Sequence, residues 1–290
     1  MVKRQESSKV LVPGLVGIFG PNGTIKTSQA LGWPHKVALL DLELGSQRAW
    51  QLQEYVDEGL VEVFRLPLPV KDVHSRYSEL KGQSELWATF TTKINQILED
   101  PEYGTVVIDT ATALWQLIRD SYLQELQKAD KENNRTLRKQ LLRIEHGEPN
   151  RRMAHIVQMA SVYDKWIVMV HHDADEYVPL LMGGYPVIDT ETHQAKQVVS
   201  GKRIPDGWNK TGPALDWQFQ SELVGTDGPP KPRFTIRDKT SGGIHLLNLP
   251  FEIETGRDKQ SLFRKLELAN GAEPTQEEKD AAQVKAGNGG

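Results

Sequence analysis

The chain has no cysteine among its 290 residues. Disulfides, thiolate metal sites and a cysteine nucleophile are therefore excluded, which fits a reducing cytosol. Long apolar runs are missing too. The longest, Val10 to Phe19, is far short of the roughly 20 residues that span a bilayer, and it lacks the small-residue cleavage site of a signal peptide. Neither sign of charge dominates: 35 Lys and Arg stand against 39 Asp and Glu, for a formal net charge of −4. That excludes coating nucleic acid by bulk charge and leaves local basic loops open. No internal repeat is present. A soluble, cytoplasmic protein without a membrane segment is expected.

What is there is ordinary for a globular chain: 38% hydrophobic and 26% charged residues. The length suits one large α/β domain with appendages. Residues 1–11 read as a flexible leader, 12–254 as the folded domain and 255–290 as a polar, largely disordered tail with a short helix near 260–268. Short, apolar, β-branched runs at Val12–Phe19, Lys36–Leu40, Val61–Leu66, Thr105–Ile108 and Trp166–Val170 read as buried strands. Helical patterns at 26–32, about 46–57 and 84–99 alternate with them. Helical segments fill about 112–163, with a break near Gly147-Glu-Pro149; their highly charged stretch 119–146 reads as a solvated excursion, with a dedicated DNA-binding arm as the alternative. A long loop is expected at about 174–212. Strands at about 215–224, 233–238 and 244–248, with a turn at Ser241-Gly-Gly243, predict an antiparallel closing section. The alternation predicts a mainly parallel sheet with helices on both faces.

The strand ending at Phe19 runs into Gly20-Pro21-Asn22-Gly23-Thr24-Ile25-Lys26-Thr27-Ser28 and then a helix. Strand, Gly-rich turn and helix N-terminus in that order aim backbone N–H groups and the helix dipole at phosphates. Lys26 is placed to reach the β- and γ-phosphates, and the Thr27 hydroxyl to hold Mg²⁺. This is the Walker A pattern with one departure: Ile25 stands where the second glycine belongs. Glycine serves there because the backbone passes close to phosphate, and a β-branched side chain is a burden. Three readings stay open: a nucleotide loop of altered geometry, a degenerate P-loop fold that no longer hydrolyses, and a chance turn.

Ligands of open α/β sheets bind outside the C-terminal strand ends, where Asp41, Glu43, Asp109, His171 and His172 fall. Val106-Val-Ile-Asp109 is a Walker B arrangement, with Asp109 and Thr27 as the Mg²⁺ pair. Glu43 is a candidate base for orienting water, or else a solvated turn residue. His171 and His172 are candidate γ-phosphate sensors, one of them otherwise structural.

Taken together, Gly-Pro-x-Gly-x-x-Lys-Thr, Leu-Leu-Asp-Leu-Glu-x-Gly-Ser, Val-Val-Ile-Asp-Thr and an apolar strand ending in His resemble the RecA-like P-loop ATPases of bacteriophages. These include compact RecA/RadA relatives proposed to act in single-strand annealing. The resemblance covers about residues 12–250. It implies ATP and Mg²⁺ as cofactors and makes Glu43 the first choice of catalytic base. It also implies Arg237 and Lys239, on Phe234-Thr-Ile-Arg237-Asp-Lys239, as cations reaching a neighbouring subunit's ATP in a homo-oligomer. The loop after the sensor strand would contact single-stranded DNA through Lys196, Lys202, Arg203, Trp208 and Lys210. The implied role is recombination or replication in an infected host's cytoplasm, with single-strand-binding or replication proteins as possible partners. Nucleotide binding without turnover, and a helicase or packaging motor module, are the alternatives.

Overall fold

The computed structural model describes residues 11–49, 51–70, 79–189, 194–225, 231–238, 246–253 and 261–280. The leader up to residue 10, the turn at 241–243 and Lys239 lie outside the described residues.

Five short apolar runs become parallel strands: β1 (Leu15–Phe19), β2 (Val37–Asp41), β3 (Val61–Arg65), β4 (Thr105–Asp109) and β5 (Trp166–His171). A ribbon follows, made of β6 (Asp173–Pro179) and β9 (Gln197–Pro205), with the small hairpin β7 (Leu181–Met182) and β8 (Tyr185–Pro186) between them. β10 (Trp217–Val224) returns parallel to β1, and β11 (Lys231–Asp238) and β12 (Pro250–Glu252) close the sheet antiparallel. The order across the sheet is β12-β11-β10-β1-β5-β4-β2-β3. β5 is thus inserted between the strand that enters the glycine-rich loop and the strand that ends in Asp109.

The helices are α1 (Lys26–Ala30), α2 (Leu52–Asp57), α3 (Gln83–Glu99), α4 (Ala111–Glu132), α5 (Gly147–Tyr163), α6 (Thr211–Ala214) and α7 (Leu262–Ala269). Successive strand residues point to opposite faces, so each strand feeds two cores. Leu15, Leu40, Ile108 and Met169 pack under α3, α4 and α5, whose Ile94, Leu117 and Ile156 are fully buried. Val16, Leu39, Val107 and Val168 pack on the other face with Trp33, Leu52 and α7. Strands covered on both sides need unbroken apolar runs, which is why these were readable as strands. At Gly17 a Cβ would sit 2.3 Å from Leu215 Cδ1, so Leu215 fills the space that a side chain there would take.

Several boundaries differ from expectation. The excursion breaks over 133–142 instead of at Gly147-Glu-Pro149. Those residues open α5, where proline is tolerated because first-turn N–H groups have no helical acceptor. Arg138 ties the break back to α4 through Asp130, at 2.6 Å. The loop expected at 174–212 contains the β6·β9 ribbon, in which β9 is mostly exposed, β6 is mostly half-buried, and the register shifts between Asp175 and Tyr177. These features blur the alternation that marks a half-buried strand. No strand forms over the described residues 246–248, and β12 lies just after them. The short helix expected near 260–268 does form, as α7, and it is capped by Ser261 Oγ, which accepts from Arg264 N. Its Leu262 and Leu266 are fully buried.

Candidate nucleotide site

The parallel register brings the strand ends level: Phe19 lies opposite His171, Asp109 opposite Val170, and Asp41 opposite Asp109. Above them lies a cavity of about 550 Å³, within the usual range for small-ligand sites. Asn22 through Ser28, Glu43, Asp109 and His172 line it, as do Leu44, Gly45, Arg48, Ala49, Thr110 and Val170. Residues chosen from four separate stretches of sequence therefore meet in one place.

The loop is shaped by specific contacts. Gly20 has φ +146, and a Cβ there would lie 2.3 Å from both the Ser221 carbonyl and hydroxyl oxygens, so β10 passes directly beside it. Ser221 Oγ pairs with Thr24 Oγ1 at 2.7 Å and donates to the Phe19 carbonyl at 3.1 Å. Ile25 is the residue before α1 and adopts φ 53, ψ 25. That is the left-handed region, in which a β-branched residue is an outlier. The side chain is half-buried and packs against the core containing Val16, Ala30 and Leu31. The position keeps a backbone shape suited to glycine while carrying an apolar side chain into the core.

Lys26 is buried, and its Nζ donates to the carbonyls of Gly20 and Pro21, each at 2.7 Å. Burial lowers its pKa, against the pull of Asp173, Asp109 and Glu43. Thr27 Oγ1 donates to Asp109 Oδ2 at 3.0 Å. Burial pushes the Asp109 carboxyl up to about 6; the Thr27 bond and Lys26 oppose this, and the charges of Asp41 and Glu43 add to it. A hydroxyl and a carboxylate in contact, with excess negative charge nearby, are a donor set that fits a hard divalent cation. Among the described residues no group of three or more His, Asp or Glu side chains forms a self-sufficient metal cage.

Glu43 and His172 are in contact at the cavity wall, with Nε2 at 3.0 Å from Oε2 and 3.3 Å from Oε1. The hydrogen bond lowers the Glu43 pKa and raises that of His172. The pair is about one-third exposed, so solvent screens much of the attraction. His171 lies on the other side of the backbone, fully buried, with Nδ1 3.0 Å from the Asp206 carbonyl and Nε2 without a partner among the described residues. Burial lowers its pKa to about 4. Of the two candidate sensors, His172 reaches the cavity and His171 is a core residue. Asp41 is wholly buried, hydrogen-bonded to Ser46 Oγ, and its Oδ1 has no partner among the described residues.

The remaining candidates lie elsewhere. Arg237 is exposed on β11, with Nε donating to Gln220 Oε1 at 2.6 Å, and it does not line this cavity. Lys196, Lys202 and Lys210 are exposed. Arg203 is engaged by Asp173 at 2.8 Å and Asp175 at 2.5 Å, a pairing created by the antiparallel register of the ribbon. Trp208 corrects the expectation of a stacking platform: it is only 6% exposed, and its Nε1 donates to Asn150 Oδ1 at 2.9 Å. The exposed rings of this region are Tyr177 and Tyr185, at 61% and 79%. Sequence reasoning also missed Arg48 and Ser221; neither stands in a recognisable spacing, and only the fold brings them to the loop. Thr110 closes the Val-Val-Ile-Asp-Thr motif but had been given no role.

A mainly parallel sheet with helices on both faces, a glycine-rich loop entering α1, and a strand inserted between the loop strand and the Asp109 strand define an α/β fold with a P-loop-like site at its strand ends. The chain belongs to the AAA domain family, which it matches over residues 15–197. Among solved structures it is similar to a KaiC-like protein of the hyperthermophilic archaeon Pyrococcus horikoshii OT3. The identity is 11% and the TM-score 0.45, over 84% of this chain and 87% of that one. It is also similar to the RadB recombinase, at 16% identity and TM-score 0.44, over 83% of this chain and 87% of that one. No curated protein matches it by sequence. Among the described residues no helix is long and apolar enough to cross a membrane.

Proposed function

We propose that the protein is an ATP-binding, Mg²⁺-dependent RecA-like ATPase that acts on single-stranded DNA in phage-type recombination or replication. One observation carries the reading: Lys26, the Thr27–Asp109 pair and the Glu43–His172 pair converge on a single cavity at the strand ends. Backbone N–H groups of the loop and the start of α1 would receive the phosphates. Lys26, held 2.7 Å from two loop carbonyls, would exchange those acceptors for phosphate oxygens. Mg²⁺ bound with ATP supplies neutralisation of the phosphate charge, and Thr27 and Asp109 would hold it. Glu43 would accept the proton of the attacking water. His172, bonded to it and sitting at the end of β5, would orient that carboxylate.

The nucleic-acid part of the proposal is supported by the ribbon. Lys202 and the exposed rings of Tyr177 and Tyr185 lie on an arm that leaves β5 immediately after His172. Cations interleaved with aromatic faces suit the backbone and bases of a single strand. Arg237, on the outer part of the sheet, would serve a neighbouring subunit's nucleotide in a homo-oligomer.

The deciding measurement is ATP turnover with and without single-stranded DNA. Stimulation by DNA, loss of nucleotide binding in Lys26→Ala, and weaker DNA binding in a Tyr177→Ala, Tyr185→Ala, Lys202→Ala variant are expected. An unchanged nucleotide affinity in Lys26→Ala would overturn the assignment. A second reading, nucleotide binding without turnover, is favoured by the Glu43–His172 pairing, which weakens Glu43 as a base. Tight ATP binding with no turnover, with or without DNA, would select it.

A further inference from the structure

The helix that presents Lys26 and Thr27 is unusually dependent on its surroundings. α1 has five residues, and the residue before it contributes no side-chain cap. A helix that short does not persist through its own hydrogen bonds. Its position must be imposed by what it packs on.

Two elements do this. Ser221 of β10 holds the loop at Thr24. The other support is the C-terminal helix. The Leu262 N–H, at the start of α7, donates to Gln29 Oε1 at 2.8 Å in a buried contact between α7 and α1. Gln29 lies one turn after Lys26 and is itself buried. At Gly32 a Cβ would sit 2.5 Å from Ser261 Cβ, so the end of α1 and the start of α7 touch. Phe263 packs on Trp33 with ring centroids 5.5 Å apart, and on Trp166 at 5.6 Å. Leu262 and Leu266 fill the same core as Ala30, Leu31 and the half-buried Ile25. α7 is in turn closed by its own clasp. Arg264 binds both carboxylate oxygens of Glu278 at 2.9 Å, Glu267 at 3.1 Å and the Glu273 carbonyl at 3.0 Å.

We propose that residues 261–280 are a buttress of the phosphate loop, with Gln29 and Phe263 as positioning residues whose contacts set nucleotide affinity. The effect on affinity rests on the nucleotide-binding reading above; the support of α1 does not. Releasing α7 leaves the Gln29 amide and the Leu262 N–H buried without each other and uncovers the outer face of α1. The loop then loses the fixed geometry that lets its N–H groups and Lys26 meet phosphate together.

The test uses the full chain with Gln29→Leu, Gln29→Glu and Phe263→Ala. Amide hydrogen exchange is followed without nucleotide, and affinity for fluorescent ATP and ADP analogues is measured with Mg²⁺. Loss of one buried, paired acceptor predicts about tenfold faster exchange over residues 29–32, whose amides are hydrogen-bonded within and just after α1, in Gln29→Leu. β4 amides keep their rates, and both nucleotides bind about tenfold more weakly. Gln29→Glu keeps an acceptor at the N-terminus of α7 and restores exchange and affinity. Phe263→Ala moves both readouts in the direction of Gln29→Leu, and the Gln29 pair decides the matter if Phe263→Ala does not fold. Unchanged exchange over 29–32, or a rise shared equally by β4, overturns the buttress. If exchange responds but the unmodified chain binds neither nucleotide, the buttress stands and the nucleotide reading falls.

Discussion

Replacing Ile25 tests whether the departure from glycine is damage or a compensated exchange. At φ 53 an L-residue loses about 1–2 kcal/mol relative to right-handed backbone, and glycine does not. Against that, the half-buried side chain packs on the core. Full burial of an isoleucine contributes roughly 1.5–3 kcal/mol, so half of it contributes about 1 kcal/mol. Glycine also costs about 0.5–1 kcal/mol in lost chain freedom. Ile25→Gly should therefore leave stability within about 1 kcal/mol of the unmodified chain. Ile25→Ala keeps the strain and loses the contact, so it should be destabilised by about 1 kcal/mol. Urea unfolding of the three proteins measures both differences. A gain above about 2 kcal/mol in Ile25→Gly, or no loss in Ile25→Ala, would refute the anchoring role of the side chain.

Three further outcomes follow from the titrating groups. Asp109 has a folded pKa near 6 against an ordinary 3.8, so its charged form is penalised, fully above about pH 6 and not at all below 3.8. Asp109→Asn should stabilise the metal-free protein by about 3 kcal/mol at pH 8 and little at pH 4; calorimetry showing equal gains at both would refute this. His171 falls from 6.5 to about 4, so the unfolded chain takes up a proton that the native one refuses. Stability in the Asp109→Asn background should drop by about 3 kcal/mol as pH falls from about 6.5 to about 4, and a flat denaturant midpoint across that window would contradict it. His172→Ala frees Glu43, whose pKa should return upward towards the ordinary carboxylate range. The acidic limb of the ATP turnover profile should then shift to higher pH, and an unmoved limb would remove Glu43 from the role of base.

The parts legible in sequence were those where one physical demand dominates locally. A strand buried on both faces must be apolar throughout, and a loop receiving phosphate must be Gly-rich with Lys-Thr at the helix start. β1, β2, β4, β5 and residues 20–27 announce themselves this way. The ribbon did not, because β9 is almost wholly exposed and exposed strands carry no periodic signature. Trp208 looked available in a polar stretch, yet its partner Asn150 lies far away in sequence on α5. Gln29, Ser221 and the carboxylate partners of Arg203 were illegible for the same reason: each takes its meaning from a residue that only the tertiary fold brings near.

The position of β1 in the sheet has a consequence for how the molecule comes into being. β1 pairs with β5 and β10, whose residues 166–171 and 217–224 leave the ribosome long after residue 19. Its apolar segment must wait, unpaired, through most of synthesis, since contacts so distant along the chain close late and slowly. The loop at 20–27 can take its final form only after Ser221 has been made and seated. Nascent chains stopped before β10 should be the aggregation-prone ones, however much of the central sheet they already contain.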